Sequence, residues 1–170
     1  MSGDKDKIIR CFAPLKGKSP KVLILGTMPG GAALMKKEYY GYEHNAFWKI
    51  MFDIFEASFT TDYEIRKNLL KNNGIALWDT IASCEREGSS DTAIKNIVYN
   101  NIEGFLKDNK SVKAIFLNSK FAYKAFTRAV KNDIERQIFV MPSTSPANTV
   151  KYEKKLEQWA KVKEFVNKSN

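Results

Sequence analysis

Residues 22–48, VLILGTMPGGAALMKKEYYGYEHNAFW, decide how this chain is read. Val22, Leu23, Ile24 and Leu25 form an apolar, partly β-branched run, the pattern of a strand buried on both faces of a parallel sheet. The run ends in Gly26-Thr27-Met28-Pro29-Gly30-Gly31. It therefore delivers a tight turn to the carboxyl edge of the sheet, where open α/β folds hold their ligands. A Pro-Gly-Gly turn alone serves equally as a plain strand-to-helix connection. The second half of the stretch gives it weight: Tyr39, Tyr40, His44, Asn45, Phe47 and Trp48 crowd rings and amides into ten residues. Such a mixture suits stacking on a nucleobase and reading its edge.

Downstream, apolar residues at Phe47, Ile50, Met51, Ile54 and Phe55 repeat with a helical period, so Phe47 also reads as core. Thr61-Asp62-Tyr63-Glu64 forms a capping box ahead of a second helix that Gly74 can end. Residues 75–78 read as a second strand, followed by Asp79 and a polar loop over 85–91. Asp79 is the one carboxylate placed for substrate contact, with helix capping as its alternative task. Residues 112–117 are a third strand, with Asn118 at its carboxyl end, where an amide serves either a helix N-cap or the site. Residues 137–140 are a fourth strand, leading into Met141-Pro142-Ser143-Thr144-Ser145-Pro146-Ala147. Tyr152, Leu156, Trp159, Val162, Phe165 and Val166 mark one face of a final helix.

Strands alternating with helices predict an α/β fold, a three-layer α/β/α sandwich around a central four-stranded parallel sheet. The 170 residues fit a single domain, with residues 1–19 as a peripheral lead-in. Gly17-Lys18-Ser19 lacks the first glycine of a phosphate loop and precedes a strand where that motif follows one, so it is set aside.

A formal charge of +9 favours a polyanionic partner such as nucleic acid. Two isolated cysteines, Cys11 and Cys84, exclude a four-cysteine iron–sulfur cluster built from this chain and suit a reducing, cytoplasmic setting. A single histidine argues against a zinc site. No run has the length or apolarity of a signal peptide core or a membrane span. The expectation is a monomer with no metal, cofactor or membrane partner.

Four segments together, Gly26-Thr27-Met28-Pro29-Gly30, Tyr39-Tyr40-Gly41, His44-Asn45-Ala46-Phe47-Trp48 and residues 141–147, resemble the uracil-DNA glycosylase superfamily. Within it they resemble most the hypoxanthine-DNA glycosylase branch, family 6, over roughly residues 20–166. Mismatch-specific uracil glycosylases share a similar Asn-x-Phe-Trp-Lys element, here Asn45 to Lys49. The resemblance implies a monofunctional DNA glycosylase that hydrolyses the N-glycosidic bond of a flipped nucleotide by water attack, with hypoxanthine, and uracil as a second substrate, as the base released. Two alternatives stand beside it: a catalytically silent nucleic-acid-binding module and a G/U mismatch-type enzyme.

Uracil and mismatch branches carry an Asp or an Asn where Met28 stands, and Met28 can orient no water. The resemblance moves that role to Asn45, an amide too weak to take a proton outright. Gly26, Thr27, Met28, Pro29 and Gly30 are assigned to base binding, their backbone amides facing the departing base. Phe47 or an adjacent aromatic stacks on the base, and Asn118 reads its edge. Gly30 replaces the tyrosine with which strict uracil enzymes exclude larger bases. His44, Ser143, Thr144 and Ser145 are assigned to DNA phosphates. Glu43 and His44 depart from the Pro-Arg expected before the branch's Asn, and Met141 replaces a His or Asn of the second motif.

Overall fold

The computed structural model describes residues 8–167; the expected lead-in residues 1–7 lie outside them. Four strands, β2 (Val22–Gly26), β3 (Ile75–Asp79), β6 (Ala114–Asn118) and β7 (Gln137–Met141), form a wholly parallel sheet in the order β3-β2-β6-β7. Val22, Leu23, Ile24 and Leu25 are all fully buried, because β2 is central and covered on both faces. Val22 and Ile24 face a core shared with α2 (Phe47–Ile54), α3 (Tyr63–Asn72), α6 (Tyr152–Trp159) and α7 (Lys161–Val166). Leu23 and Leu25 face a second core with α4 (Ile102–Asp108) and α5 (Lys120–Ala129). These are the three expected layers.

Alternation along β2 thus sets which helices lie on which side. The chain leaves β2 toward one face and β6 toward the other, which opens a crevice at their carboxyl ends. The short α1 (Gly31–Lys36) follows the β2 turn.

A second, antiparallel sheet departs from the sequence-based expectation. It joins β1 (Ile8–Arg10), β4 (Ile81–Glu85) and β5 (Lys95–Tyr99) in the order β1-β4-β5. Residues 8–15 are therefore integral rather than peripheral: β1 pairs with β4, and buried Leu15 bridges Leu77. Residues 81–85, between Asp79 and the polar loop, become β4 because non-local pairing, not local propensity, decides such short strands, while residues 86–90 stay irregular. Thr80 turns the chain from one sheet into the other, its N–H and Oγ1 both donating to the Gly26 carbonyl at 2.9 and 2.6 Å.

Two helix boundaries also differ from expectation. Asp62, not Thr61, caps α3 by accepting from Glu64 and Ile65 N–H. The last helix is divided at Ala160, yet Ala160 keeps helical angles (φ −57°, ψ −20°), so Trp159, Val162 and Val166 still share one core.

Candidate functional site

The carboxyl ends of all four parallel strands, Gly26, Asp79, Asn118 and Met141, come to one rim. A cavity of about 820 Å³ opens there. Its wall includes the 26–33 segment, Tyr39, Tyr40, Asn45, Asp79, Ser89 to Thr92, Asn118, Ser119 and residues 143–148. Asn45 and Asn118 therefore share one cavity, together with Gly26, Thr27, Met28, Pro29, Gly30 and the Ser143, Thr144 and Ser145 loop.

Asn118 escapes helix capping because Ser119 takes that task, its Oγ accepting from Ala122 N–H at 3.1 Å. Ser119 does so at φ 118°, ψ 162°, a region costly for a side chain by about 1–3 kcal/mol. The freed Asn118 amide is nonetheless engaged. Its Nδ2 donates to Thr144 Oγ1 (2.9 Å) and Tyr40 Oη (3.1 Å), and its Oδ1 accepts from Thr144 N–H (3.0 Å). Asn118 thus ties the two outer loops together, leaving one Oδ1 lone pair toward a ligand.

Phe47 is fully buried and does not reach the cavity wall, which corrects its direct base-stacking assignment. It lies behind Tyr40, the rings stacked at 4.1 Å and 25°, and is itself braced edge-on by Trp48 and Trp159. Of this stacked pair, Tyr40 is the ring on the cavity wall, which Tyr39, Tyr42 and Phe121 also line. It holds φ 52°, an unfavourable value for a bulky residue, at the point where the chain bends between α1 and α2. Trp48, off the helical stripe, fastens the same bend by donating Nε1–H to the Tyr39 carbonyl at 2.7 Å.

Asn45 sits just ahead of α2, its Oδ1 accepting from Phe47 N–H at 3.0 Å. That bond fixes the amide's rotation. Nδ2 has no partner among the described residues and is available as a donor to water or substrate. Ala46 N–H donates to the Thr144 carbonyl at 2.9 Å, which locks Asn45 to the serine loop. His44 is exposed, does not line the cavity, and sits beside Glu43 with 3.4 Å between Nε2 and Oε1.

The glycine turn carries several assigned residues. Thr27 and Met28 are buried, Met28 anchoring a small core with Ile81, Cys84 and Ala125. The Gly31 N–H donates to Ser89 Oγ at 2.9 Å, whereas the Met28 and Gly30 N–H groups have no protein acceptor among the described residues. A methyl added at Gly30 would meet only Ser89, at 3.8 Å, so the absent side chain leaves open space. Gly26 is different. A methyl there would stand 2.7 Å from Asp79 Oδ1 and 2.8 Å from Tyr40 Oη, so only glycine lets these two groups close over the strand end.

Asp79 is 5% exposed and caps no helix. Burial pushes its carboxyl up to about 7, the Asp91 carboxylate adding to the rise and the Arg86 guanidinium opposing it. Asp91 is raised as well, mainly by burial, with Arg86 and a Thr27 hydrogen bond pulling it down. Arg86 spans this polar corner, donating to the Pro29 and Gly88 carbonyls.

In the 143–148 loop, Thr144 is 1% exposed, which sets it back from an external phosphate and corrects its assignment to one; its Oγ1 accepts from Asn118 Nδ2. Ser143 and Ser145 hydroxyls accept from Ser145 and Ala147 N–H, both at 3.2 Å, and retain their own protons to donate. Lys155, 5% exposed, sits beneath the loop and donates to the carbonyls of Ser145 (3.3 Å) and Asn148 (2.8 Å). Desolvation lowers its pKa.

Sequence reasoning counted Tyr40 among the rings suited to stacking but gave the named role to Phe47, and it did not single out Ser89, Asp91 or Lys155. The adjacent Tyr39-Tyr40-Gly41 was the available signal for Tyr40. Lys155 gave none, since it lies in a helix full of lysines.

The family model of the uracil DNA glycosylase superfamily matches residues 14–167. Over 153 residues the chain is 32% identical to a hypoxanthine DNA glycosylase of Methanosarcina barkeri, covering 88% of this chain and 94% of that protein. A hypoxanthine DNA glycosylase of Methanosarcina acetivorans is 30% identical over 158 residues, covering 91% and 98%. In fold, the chain is similar to a Methanosarcina acetivorans protein solved in solution by NMR as a candidate uracil DNA glycosylase. The TM-score is 0.79 at 27% identity, over 95% of this chain and 100% of that one.

Proposed function

This chain belongs to the uracil DNA glycosylase superfamily and is a DNA glycosylase, and we propose that it releases hypoxanthine from DNA, with uracil as a second substrate. The carrying observation is the cavity at the sheet's carboxyl rim, walled by a braced tyrosine, the Asn45 and Asn118 amides and a glycine turn. Its volume admits a purine, and Gly30 puts no side chain in the way.

In this reading the nucleotide leaves the stack, at a cost of a few kcal/mol, and its base lies against Tyr40. Phe47, Trp48 and Trp159 keep that ring from yielding. Asn45 orients the attacking water through its free Nδ2 and the second lone pair of Oδ1. The Met28 and Gly30 N–H groups offer dipoles to negative charge growing on the base, effective because they are already aligned. Ser143 and Ser145 hydroxyls, and His44 at the exposed approach, meet DNA phosphates, which position the duplex without reading sequence. The enzyme acts as a monomer.

The test is a panel of duplexes carrying one deoxyinosine or deoxyuridine, incubated with wild type and Asn45→Ala and then treated with alkali. Strand breaks accumulating with wild type and falling at least tenfold with the variant support the reading. Retention of the duplexes without breaks would mean a binding module, and equal rates for both proteins would remove Asn45 from the chemistry.

A further inference from the structure

Asp79 has no task in the fold that accounts for its chemistry. Its backbone pairs opposite Gly26, and its carbonyl accepts from Asn100 Nδ2 at 2.7 Å. The side chain makes no ion pair among the described residues, and Oδ2 is buried without a hydrogen-bond partner. A buried, orphaned carboxyl is destabilising, and on a cavity wall it marks a functional group. Geometry sets it on the cavity wall: Oδ1 leans over the Gly26 backbone next to Tyr40 Oη, where no side chain intervenes.

Building on the glycosylase reading above, we propose that Asp79 is a catalytic general acid specific for purine release, donating its proton to N7 of the flipped base as the glycosidic bond breaks. The C1′–N9 electron pair moves onto the imidazole ring while the Asp79 O–H proton passes to N7, so hypoxanthine departs neutral. The water oxygen bonds to C1′, and the proton it sheds restores the Asp79 carboxyl through solvent. One water is consumed and no charge is left over. Uracil has no N7. It must leave as an N1 anion, and an acid at this place does nothing for it.

The other titratable groups around the carboxyl fit this assignment. Tyr39 and Tyr40 hydroxyls and the Cys11 thiol are all raised by burial and stay neutral near pH 7, while Asp91 and Arg86 push Asp79 in opposite directions. A carboxyl that titrates close to the working pH is matched to general-acid duty.

Single-turnover release is to be measured for wild type and Asp79→Asn on duplexes carrying deoxyinosine, 7-deazadeoxyinosine or deoxyuridine, from pH 5.5 to 9. Wild-type release of hypoxanthine should fall as pH rises through about 7, approaching tenfold per unit. Asp79→Asn should slow hypoxanthine release by about 10²–10⁴-fold and abolish that pH limb. The same variant should leave the 7-deaza and uracil substrates at wild-type rates, since neither offers N7. A flat wild-type profile, or an equal loss on every substrate cleaved, overturns the assignment while leaving the glycosylase reading intact. Failure of wild type to release hypoxanthine at all removes that reading and the assignment together. The wild-type pH profile needs no variant and decides the matter even where Asp79→Asn folds poorly.

Discussion

Asn118 and Tyr40, 78 residues apart, meet through a 3.1 Å hydrogen bond from Nδ2 to Oη at the mouth of the sheet. Because the same amide also holds Thr144 by two bonds, one residue at the end of β6 sets the spacing of both loops that flank the cavity. Asn118→Ala leaves the buried Thr144 N–H without its acceptor, so a loss of about 1–3 kcal/mol in urea unfolding is expected. Tyr40→Phe spares the Thr144 contacts and should cost about 1 kcal/mol. A ranking in the reverse order would mean that the clamp is centred elsewhere.

Asn45 combines two roles that substitution can separate. Asn45→Asp keeps an acceptor for Phe47 N–H and should melt within about 0.5 kcal/mol of wild type, whereas Asn45→Ala should lose about 1 kcal/mol. Both variants should release base more slowly, since neither retains the Nδ2 donor. Thermal melts beside a base-release assay distinguish capping from chemistry, and full activity in the aspartate variant would show that Nδ2 is dispensable.

Gly26→Ala drives a methyl to within 3 Å of both Asp79 Oδ1 and Tyr40 Oη. Either group can retreat only by giving up its place on the cavity wall. A destabilisation of about 1–3 kcal/mol together with slower purine release is expected, measured by denaturation and single-turnover assay. Unchanged values in both would refute the close approach.

Asp79 makes stability depend on pH with a definite sign. Its folded pKa, about 7, stands above the usual 3.8, so the native state holds the proton more tightly than the unfolded chain. Stability is therefore lost as pH rises from about 4, and the loss is complete above about 7, amounting to at most about 4 kcal/mol. Asp79→Asn should melt well above wild type at pH 8 and close to it at pH 4. An equal difference at both pH values would count against the raised pKa.

Lys155 supports the 143–148 loop from below through two carbonyls. Lys155→Met removes a desolvated charge but frees both acceptors, so its effect on global stability should be small, within about 1 kcal/mol. Amide hydrogen exchange at Ser145, Ala147 and Asn148 should quicken, and base release from DNA should slow. Unaltered exchange there would mean that the prolines alone hold the loop.

Local pattern accounts for what was legible beforehand. The uninterrupted apolar run of β2, the helical stripes and the amide-bearing loops at strand ends each carry their information within a few neighbouring residues. Parallel architecture and the placing of the loops at the sheet's carboxyl rim could therefore be read from the chain alone, whereas the choice of Asn45 and Asn118 leaned on the resemblance to the superfamily, and the structure brings both to one cavity wall. The tertiary structure decided which ring meets the cavity. Phe47 and Tyr40 are equally aromatic in sequence, and only the packing of Trp48 and Trp159 puts the first behind the second. It likewise decided that Thr144 is a buried tie, that residues 8–15 complete a second sheet, and that Asp79 lines the cavity instead of capping a helix. Each of these depends on partners dozens of residues away. Burial and desolvation are properties of the assembled surroundings, and no window of sequence contains them.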